Sequence, residues 1–387
     1  MSSTTSKSVS LLDLKAQYSQ IQDEVEKAVL DVLRSGWYVL GPNVQDFEKE
    51  AAEFLGAKHA IGCANGSDAL YIALLALDIK PGDEVITTPF TYVATAEAIT
   101  QAHAKPVFAD INLETFNIDP QSIEKNITDK TKAIILVHLY GQACQMDEIM
   151  AIAKKHNIKV IEDTAQSFGT KYKDQSAGAI ADIGTYSFYP TKNMSCAGDG
   201  GMMTTNSDEL NERLRKIRAH GSSKRYYHDE LGVNSRLDEI QAAILRIKLK
   251  HIANWNSRRA QLAAIYNEAF SNLDHKDFEI ITPKLIDEST HIYHQYSIRV
   301  KSKTNKTDRE SRDALKDALK EKSIASEIYY PLSLHEQNIY KELGYKQEDL
   351  PNSVAATETV LCLPIYPELA ETDIETVIEA VKSISLA

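Results

Sequence analysis

The sequence is short of several things, and each shortage removes a class of function. Its four cysteines, Cys63, Cys144, Cys196 and Cys362, are scattered and show no C-x-x-C spacing, which excludes a zinc ribbon and a disulfide framework. Each reads as a small, inert core residue. No apolar run approaches the ~20 residues that a membrane helix needs. The polar start "MSSTTSKSVS" lacks the apolar stretch of a signal peptide, so a cytoplasmic protein is expected. Positive charge is also in deficit: the formal net charge is -12, which argues against nucleic acid or an anionic membrane as the main partner. An anionic ligand must then be held by local groups. There are no internal repeats and no low-complexity tracts.

What remains is a chain of 387 residues, 43% hydrophobic and 25% charged, long enough for a large core and more than one domain. Residues 12–34 place Tyr18, Ile21, Val25, Val29 and Val32 at three- and four-residue intervals, an amphipathic helix that Gly36 stops. Short β-branched runs then alternate with helical patterns: "HAIGC", "DEVITT", "KPVFAD", "TKAIILVHLY", "IKVIED", "IGTYSF" and "GGMMTT" are the strands. Continuous apolar strands between helices predict an α/β fold, a mostly parallel sheet covered on both faces. Ligands in such folds gather at the carboxyl ends of the strands. After about residue 207 long helices take over, and the charge run at 301–322 reads as a solvated loop and helix face. The expected division is a large α/β domain over 1–255 and a smaller α+β domain over 256–387, meeting inside a long helix.

Three strand ends carry unusual chemistry. In "KVIEDTAQSFG" a buried strand ends in Asp163, a carboxylate that could serve a ligand or cap the next helix. "CANGSDAL" ends a strand in Asn65, Gly66, Ser67 and Asp68 and opens a helix whose free amides suit a phosphate; an ordinary N-cap would look the same. "SFYPTKNMSCAGDGG" places Ser187 and then Lys192 ahead of a glycine-rich turn. A phosphate-binding loop would have its glycines before the lysine, so Lys192 needs another task. Pyridoxal phosphate needs these parts: a lysine for a Schiff base, a carboxylate for the pyridine nitrogen, and a helix start for the phosphate. Tyr92, in "TPFTYVATA", offers a ring to stack on the pyridine. Glycine-rich "GDGG" reads as a tight turn bringing the chain close to the lysine.

"IEDTAQSFG", "SFYPTKN", "GDGG" and "GVNSRLDEIQAAIL" resemble the DegT/StrS nucleotide-sugar aminotransferases, nearly end to end, from "LLDLKAQY" to "LPIYPEL". The resemblance implies a fold-type I transferase like aspartate aminotransferase, a homodimer with active sites at the subunit interface. It implies that Lys192 forms the Schiff base and moves protons, Asp163 pairs with the pyridine nitrogen, and Gln166 contacts the cofactor hydroxyl. Gly66, Ser67, Asp68 and Ser187 would hold the phosphate, joined by Asn234 of the neighbouring subunit. Relatives that remove a sugar hydroxyl carry histidine where this chain has Lys192, so transamination is implied: a ping-pong exchange between L-glutamate and a nucleotide-linked keto sugar.

For the sugar, "CANGSDAL", "FTYVATAE" and "GSSKRYYHDELGVNSRL" look most like enzymes aminating carbon 3 of UDP-2-acetamido-2-deoxy-3-oxo-glucuronic acid for surface polysaccharides such as O-antigens. Arg236 matches an arginine that helps to bind substrate there, and a guanidinium fits a carboxylate in bidentate geometry. Tyr329 and Tyr330 in "IYYPLSLHEQ" depart from the histidine–tyrosine pair of uronate-specific relatives. That tyrosine pair also occurs among homologues acting on dTDP-3-keto-6-deoxyhexoses. Tyr329, Tyr330 and His335 are the candidate substrate contacts, with core or loop packing as the alternative reading of each. Early members of the family were taken for sensory regulators, so a protein that binds the cofactor without turnover is the alternative from a different class, although nothing here resembles a DNA-binding module.

Overall fold

The computed structural model describes residues 8–386. Most of the polar start therefore lies outside the described residues. Seven strands form the main sheet: β1 His59–Cys63, β2 Glu84–Thr87, β3 Lys105–Phe108, β4 Thr131–Val137, β5 Lys159–Asp163, β6 Ile183–Ser187 and β7 Gly201–Thr205. Their order is β1-β7-β6-β5-β4-β2-β3. The neighbours from β6 through β3 run parallel, and β7 runs antiparallel to both β1 and β6. The reversal follows from the connection. Residues 188–200 form a loop with no crossover helix, so the chain can only return antiparallel.

Side chains alternate across the sheet, and this sorts the strand residues into two faces. Ala133, Ile135, Ile161 and Ile183 pack with the helices Gly66–Ala76, Ala94–Gln101 and Asp208–Ile217. Ile134, Leu136 and Val160 pack on the opposite face against the helix Met146–His156, and Met202 and Tyr186 against Pro42–Leu55. Both faces are covered, which explains the uninterrupted apolar runs. Two residues past the buried Ala133–Ile135, Ile161 and Ile183 series, Val137, Asp163 and Thr185 stand on the first face, with Ser187 two further along. They sit at the carboxyl ends of three adjacent strands.

A second, antiparallel sheet joins Phe278–Ile281, Tyr296–Ser302 and Val360–Leu363, with the middle segment central. Its core draws Leu262, Tyr266 and Phe270 from the helix Ile252–Ser271, Leu315 and Leu319 from Asp308–Glu321, and Val377 from Glu371–Ser383. We propose the division near residue 255, inside the helix Ile252–Ser271. The N-terminal segment crosses back, because Val9 pairs with Ile324 in this second core.

Two local expectations change. The helical stretch from 239 to 271 is two helices, Glu239–Leu249 and Ile252–Ser271. The ladder is interrupted where His251 N–H donates to the Lys248 carbonyl, a shorter i→i−3 closure. The charge run is also not wholly solvated. Its helix starts at a Thr307–Glu310 capping box, and Arg312 turns inward to donate to the Thr357 and Val360 carbonyls.

Candidate active site

The strand ends open into a cavity of about 830 Å³. Asp163 stands in it, buried, with Oδ1 accepting the Ala165 N–H at 3.1 Å and Oδ2 accepting the Thr95 hydroxyl at 3.0 Å. Burial pushes its carboxyl above the usual carboxylate range; these two donors and the charge of Lys192 pull the other way. Lys192 lines the same cavity, on a turn closed by its N–H to the Tyr189 carbonyl at 2.8 Å. Desolvation lowers its ammonium to about 8, partly offset by Asp163. A lysine poised to lose its proton thus shares the cavity with Asp163, and Asp68 and Asp199 line it as well.

The helix Gly66–Ala76 begins on the cavity wall. Asn65 caps it, its side-chain oxygen accepting the Asp68 N–H at 2.8 Å. The Asp68 amide is thus already taken and its carboxylate can only accept, whereas the first-turn amides of Gly66 and Ser67 have no intrahelical partner and are open to an anion. Ser187 completes the wall. A Cβ on Gly66 would lie 2.5 Å from the Ser187 Cβ, so only glycine lets the helix start sit this close to the hydroxyl. Gly66→Ala is expected to push the two apart and weaken capture of pyridoxal phosphate by about 10- to 100-fold, as overpacking of 1–3 kcal/mol implies. A spectrophotometric titration of cofactor-free protein checks this; unchanged affinity contradicts it.

Gln166 is buried between two partners, donating to the Tyr330 hydroxyl at 3.1 Å and accepting the Tyr140 N–H at 3.3 Å. Tyr330 packs edge-on against Phe90 at 5.9 Å, and the Tyr329 carbonyl accepts the Tyr140 hydroxyl, so both tyrosines are fixed at the cavity. Tyr92 lines it too and is 59% exposed.

Three expected residues are not brought to this cavity within the chain. Asn234 is exposed and pairs with Ala219 through an isolated bridge, and Arg236 is half-buried on the segment that follows. His335 stands outside the cavity lining. The short turn Leu334–Glu336 is pinned by Leu334 N–H to the Pro89 carbonyl, and this buries the imidazole with its Nδ1 against the Ser333 hydroxyl at 2.9 Å. There it packs beside the Tyr345 ring, 6.4 Å between centroids.

The sequence reading missed Thr95 and His294. Thr95 enters because the helix Ala94–Gln101 lies on the same face as Asp163. His294 lines the cavity just ahead of Tyr296–Ser302, and burial, followed by the charges of Lys192 and Arg259, holds its imidazole well below its usual value. Neither could be found by spacing, since only the fold brings them to Asp163 and Lys192. Among the described residues no cluster of His, Cys, Asp and Glu is arranged to hold a metal, and no helix is long and apolar enough to cross a membrane.

Known proteins resemble this arrangement along nearly the whole chain. A "Pleiotropic regulatory protein" of Geobacillus stearothermophilus is 48% identical, covering 96% of this chain and 97% of its own. A dTDP-3-amino-3,6-dideoxy-alpha-D-galactopyranose transaminase of Aneurinibacillus thermoaerophilus is 44% identical over 96% and 98%. A UDP-2-acetamido-2-deoxy-3-oxo-D-glucuronate aminotransferase of Pseudomonas aeruginosa is 41% identical over 96% and 99%. The crystal structure of S. venezuelae DesV in complex with a ketimine intermediate superposes with a TM-score of 0.92 at 39% identity, over 97% of this chain and 98% of that one. The sequence pattern of the DegT/DnrJ/EryC1/StrS aminotransferase family matches residues 19–382. With a lysine and a carboxylate facing one cavity at the carboxyl ends of a fold-type I sheet, this chain belongs to the DegT/DnrJ/EryC1/StrS aminotransferase family.

Proposed function

We propose that this protein is a pyridoxal-phosphate-dependent aminotransferase that moves an amino group from L-glutamate to carbon 3 of a nucleotide-linked keto sugar in the cytoplasm. The observation that carries the reading is the convergence of Lys192, Asp163 and the start of the helix Gly66–Ala76 on one cavity. The residues present fit the cofactor: the close Gly66–Ser187 approach is a cradle that a Cβ would fill, and its donors are the kind a phosphate needs. Lys192, Asp163, Gln166, Gly66, Ser67, Ser187 and Tyr92 would hold it. When bound, it supplies an aldehyde for amine capture and an electron sink for the substrate carbon.

The chain's own residues do the rest. Lys192 binds the cofactor through its amine and, once released, carries a proton at its Nζ between the amino-bearing carbon and the cofactor. Its depressed proton affinity keeps a neutral fraction near pH 8. Asp163 holds the proton on the ring nitrogen, and Gln166 orients the ring through its hydroxyl. Tyr329 and Tyr330 face the sugar.

The reading includes a homodimer. Leu30, Leu33, Trp37, Tyr38 and Val39 are apolar and between 46% and 56% exposed, a face that suits a second copy. Asn234 and Arg236 would then serve the neighbouring cavity, Asn234 at the phosphate and Arg236 at the sugar.

The leading substrate is UDP-2-acetamido-2-deoxy-3-oxo-glucuronic acid, an intermediate suited to surface polysaccharide such as O-antigen. The relative from Pseudomonas aeruginosa supports it. A second reading, a dTDP-3-keto-6-deoxyhexose, is favoured by the two phenols of Tyr329 and Tyr330 at the cavity, which offer no charge for a sugar carboxylate. Arg236→Ala separates the two. With a uronate substrate it is expected to lower kcat/KM by about 10²-fold, the worth of a buried charged hydrogen bond, and with a 6-deoxy sugar to change it little. The check is formation of the 3-amino product by mass spectrometry from each keto sugar and L-glutamate. Amination of neither sugar would overturn the reading.

A further inference from the structure

Asp163 has both carboxylate oxygens engaged, by donors from two different elements. The Ala165 N–H comes from the loop after β5 and the Thr95 hydroxyl from the start of the helix Ala94–Gln101. A hydroxyl has one proton. Thr95 gives its proton to Asp163, so its 3.3 Å contact with Thr91 runs one way, with Thr91 donating. All three side chains are buried and line the cavity, where little water competes for these bonds.

We propose that Thr95, backed by Thr91, is a positioning residue for Asp163, fixing the plane of its carboxylate so that one oxygen stays aimed at the ring nitrogen of the bound cofactor. The proposal rests on the cofactor site described above and adds to it a residue pair outside the expected set. Torsion of a carboxylate about its last bond is soft, and a single donor leaves it free to swing. Two donors, one on each oxygen, hold it. Packing alone does not account for Thr95, because valine would fill the same space without putting a hydroxyl in the core. The hydroxyl is matched to the carboxylate.

Thr95→Val keeps the shape and removes the donor, and Thr95→Ser keeps the donor. The experiment measures the dissociation constant of each cofactor-free protein for pyridoxal phosphate and for its 1-deaza analogue, in which carbon replaces the ring nitrogen. Thr95→Val is expected to weaken pyridoxal phosphate by about tenfold and the deaza analogue by less than about twofold, the difference a hydrogen bond to a charged group makes. Thr95→Ser is expected to restore pyridoxal phosphate affinity to within about threefold of the parent. Equal weakening of both compounds would mean that Thr95 only supports the pocket, and no weakening of either would mean that it does nothing for Asp163; both overturn the proposal. If Thr95→Val does not fold, Thr91→Val takes its place; it keeps the Thr95–Asp163 bond and removes the donor behind it, so a smaller loss of about threefold, again confined to pyridoxal phosphate, is expected, and equal weakening of both compounds or of neither overturns the proposal. If the parent protein fails to distinguish the two compounds, the placement of Asp163 is wrong and the proposal falls with it.

Discussion

Lys192→Ala is expected to leave the protein folded and to reduce amino transfer by at least about 10⁴-fold, since it removes both the nucleophile and the proton carrier. The fold tolerates the change because the side chain stands in the cavity and the turn is closed by its backbone, N–H to the Tyr189 carbonyl. Loss of a partly desolvated amine relieves an unfavourable burial. Added methylamine is expected to restore a small part of the rate, because it can stand in for the proton carrier without the tether. The parent protein adds a check with a definite sign. Burial depresses the lysine to about 8, so the neutral amine that attacks an aldehyde accumulates as pH rises through 8, and capture of added pyridoxal phosphate should climb and then level off. Single-turnover kinetics with circular dichroism on the same samples measures both. A variant within tenfold of the parent rate would remove Lys192 from the reaction.

Asp163→Asn is expected to cost about 10²- to 10³-fold in kcat while keeping or raising the thermal stability of the cofactor-free protein. Asparagine is isosteric, and its amide oxygen can keep the Ala165 N–H. Thr95 can reverse its hydroxyl to accept from the amide nitrogen. What asparagine cannot do is stay anionic beside a protonated ring nitrogen. The stability sign follows from linkage. Burial raises the proton affinity of Asp163 above its unfolded value of 3.8, so the folded state holds more protons than the unfolded one and loses stability as pH rises from there. A neutral amide carries no such cost. A melting temperature equal to or above the parent's near neutral pH, together with the loss in kcat, is the expected pair of results. Full activity would contradict the assigned role.

The sheet and the main site residues were legible because their signals are local. Each strand is a short apolar run, and Asp163, Lys192 and the helix start after Asn65 each stand at the end of one, which in an α/β sheet means the same edge. What was not legible depends on contacts made through the fold. Thr95 and His294 reach the cavity only because the helix Ala94–Gln101 and the segment ahead of Tyr296–Ser302 converge on it. His335 was open between substrate contact and packing, and the turn that buries it is held by the Leu334 bond to the Pro89 carbonyl, a partner far away in sequence. Whether "CANGSDAL" opens a phosphate site or an ordinary N-cap was not legible either, because only the fold shows that Asn65 takes up the Asp68 N–H. The break at Lys250–His251 has no glycine or proline to announce it.

The most direct measurement is the visible and near-ultraviolet absorbance of the purified protein with pyridoxal phosphate, before and after L-glutamate. A yellow band that glutamate converts to a shorter-wavelength band, and that Lys192→Ala lacks, is the predicted result. A protein that shows no such band on adding pyridoxal phosphate, or a band that L-glutamate leaves unchanged, would contradict transfer from glutamate through Lys192.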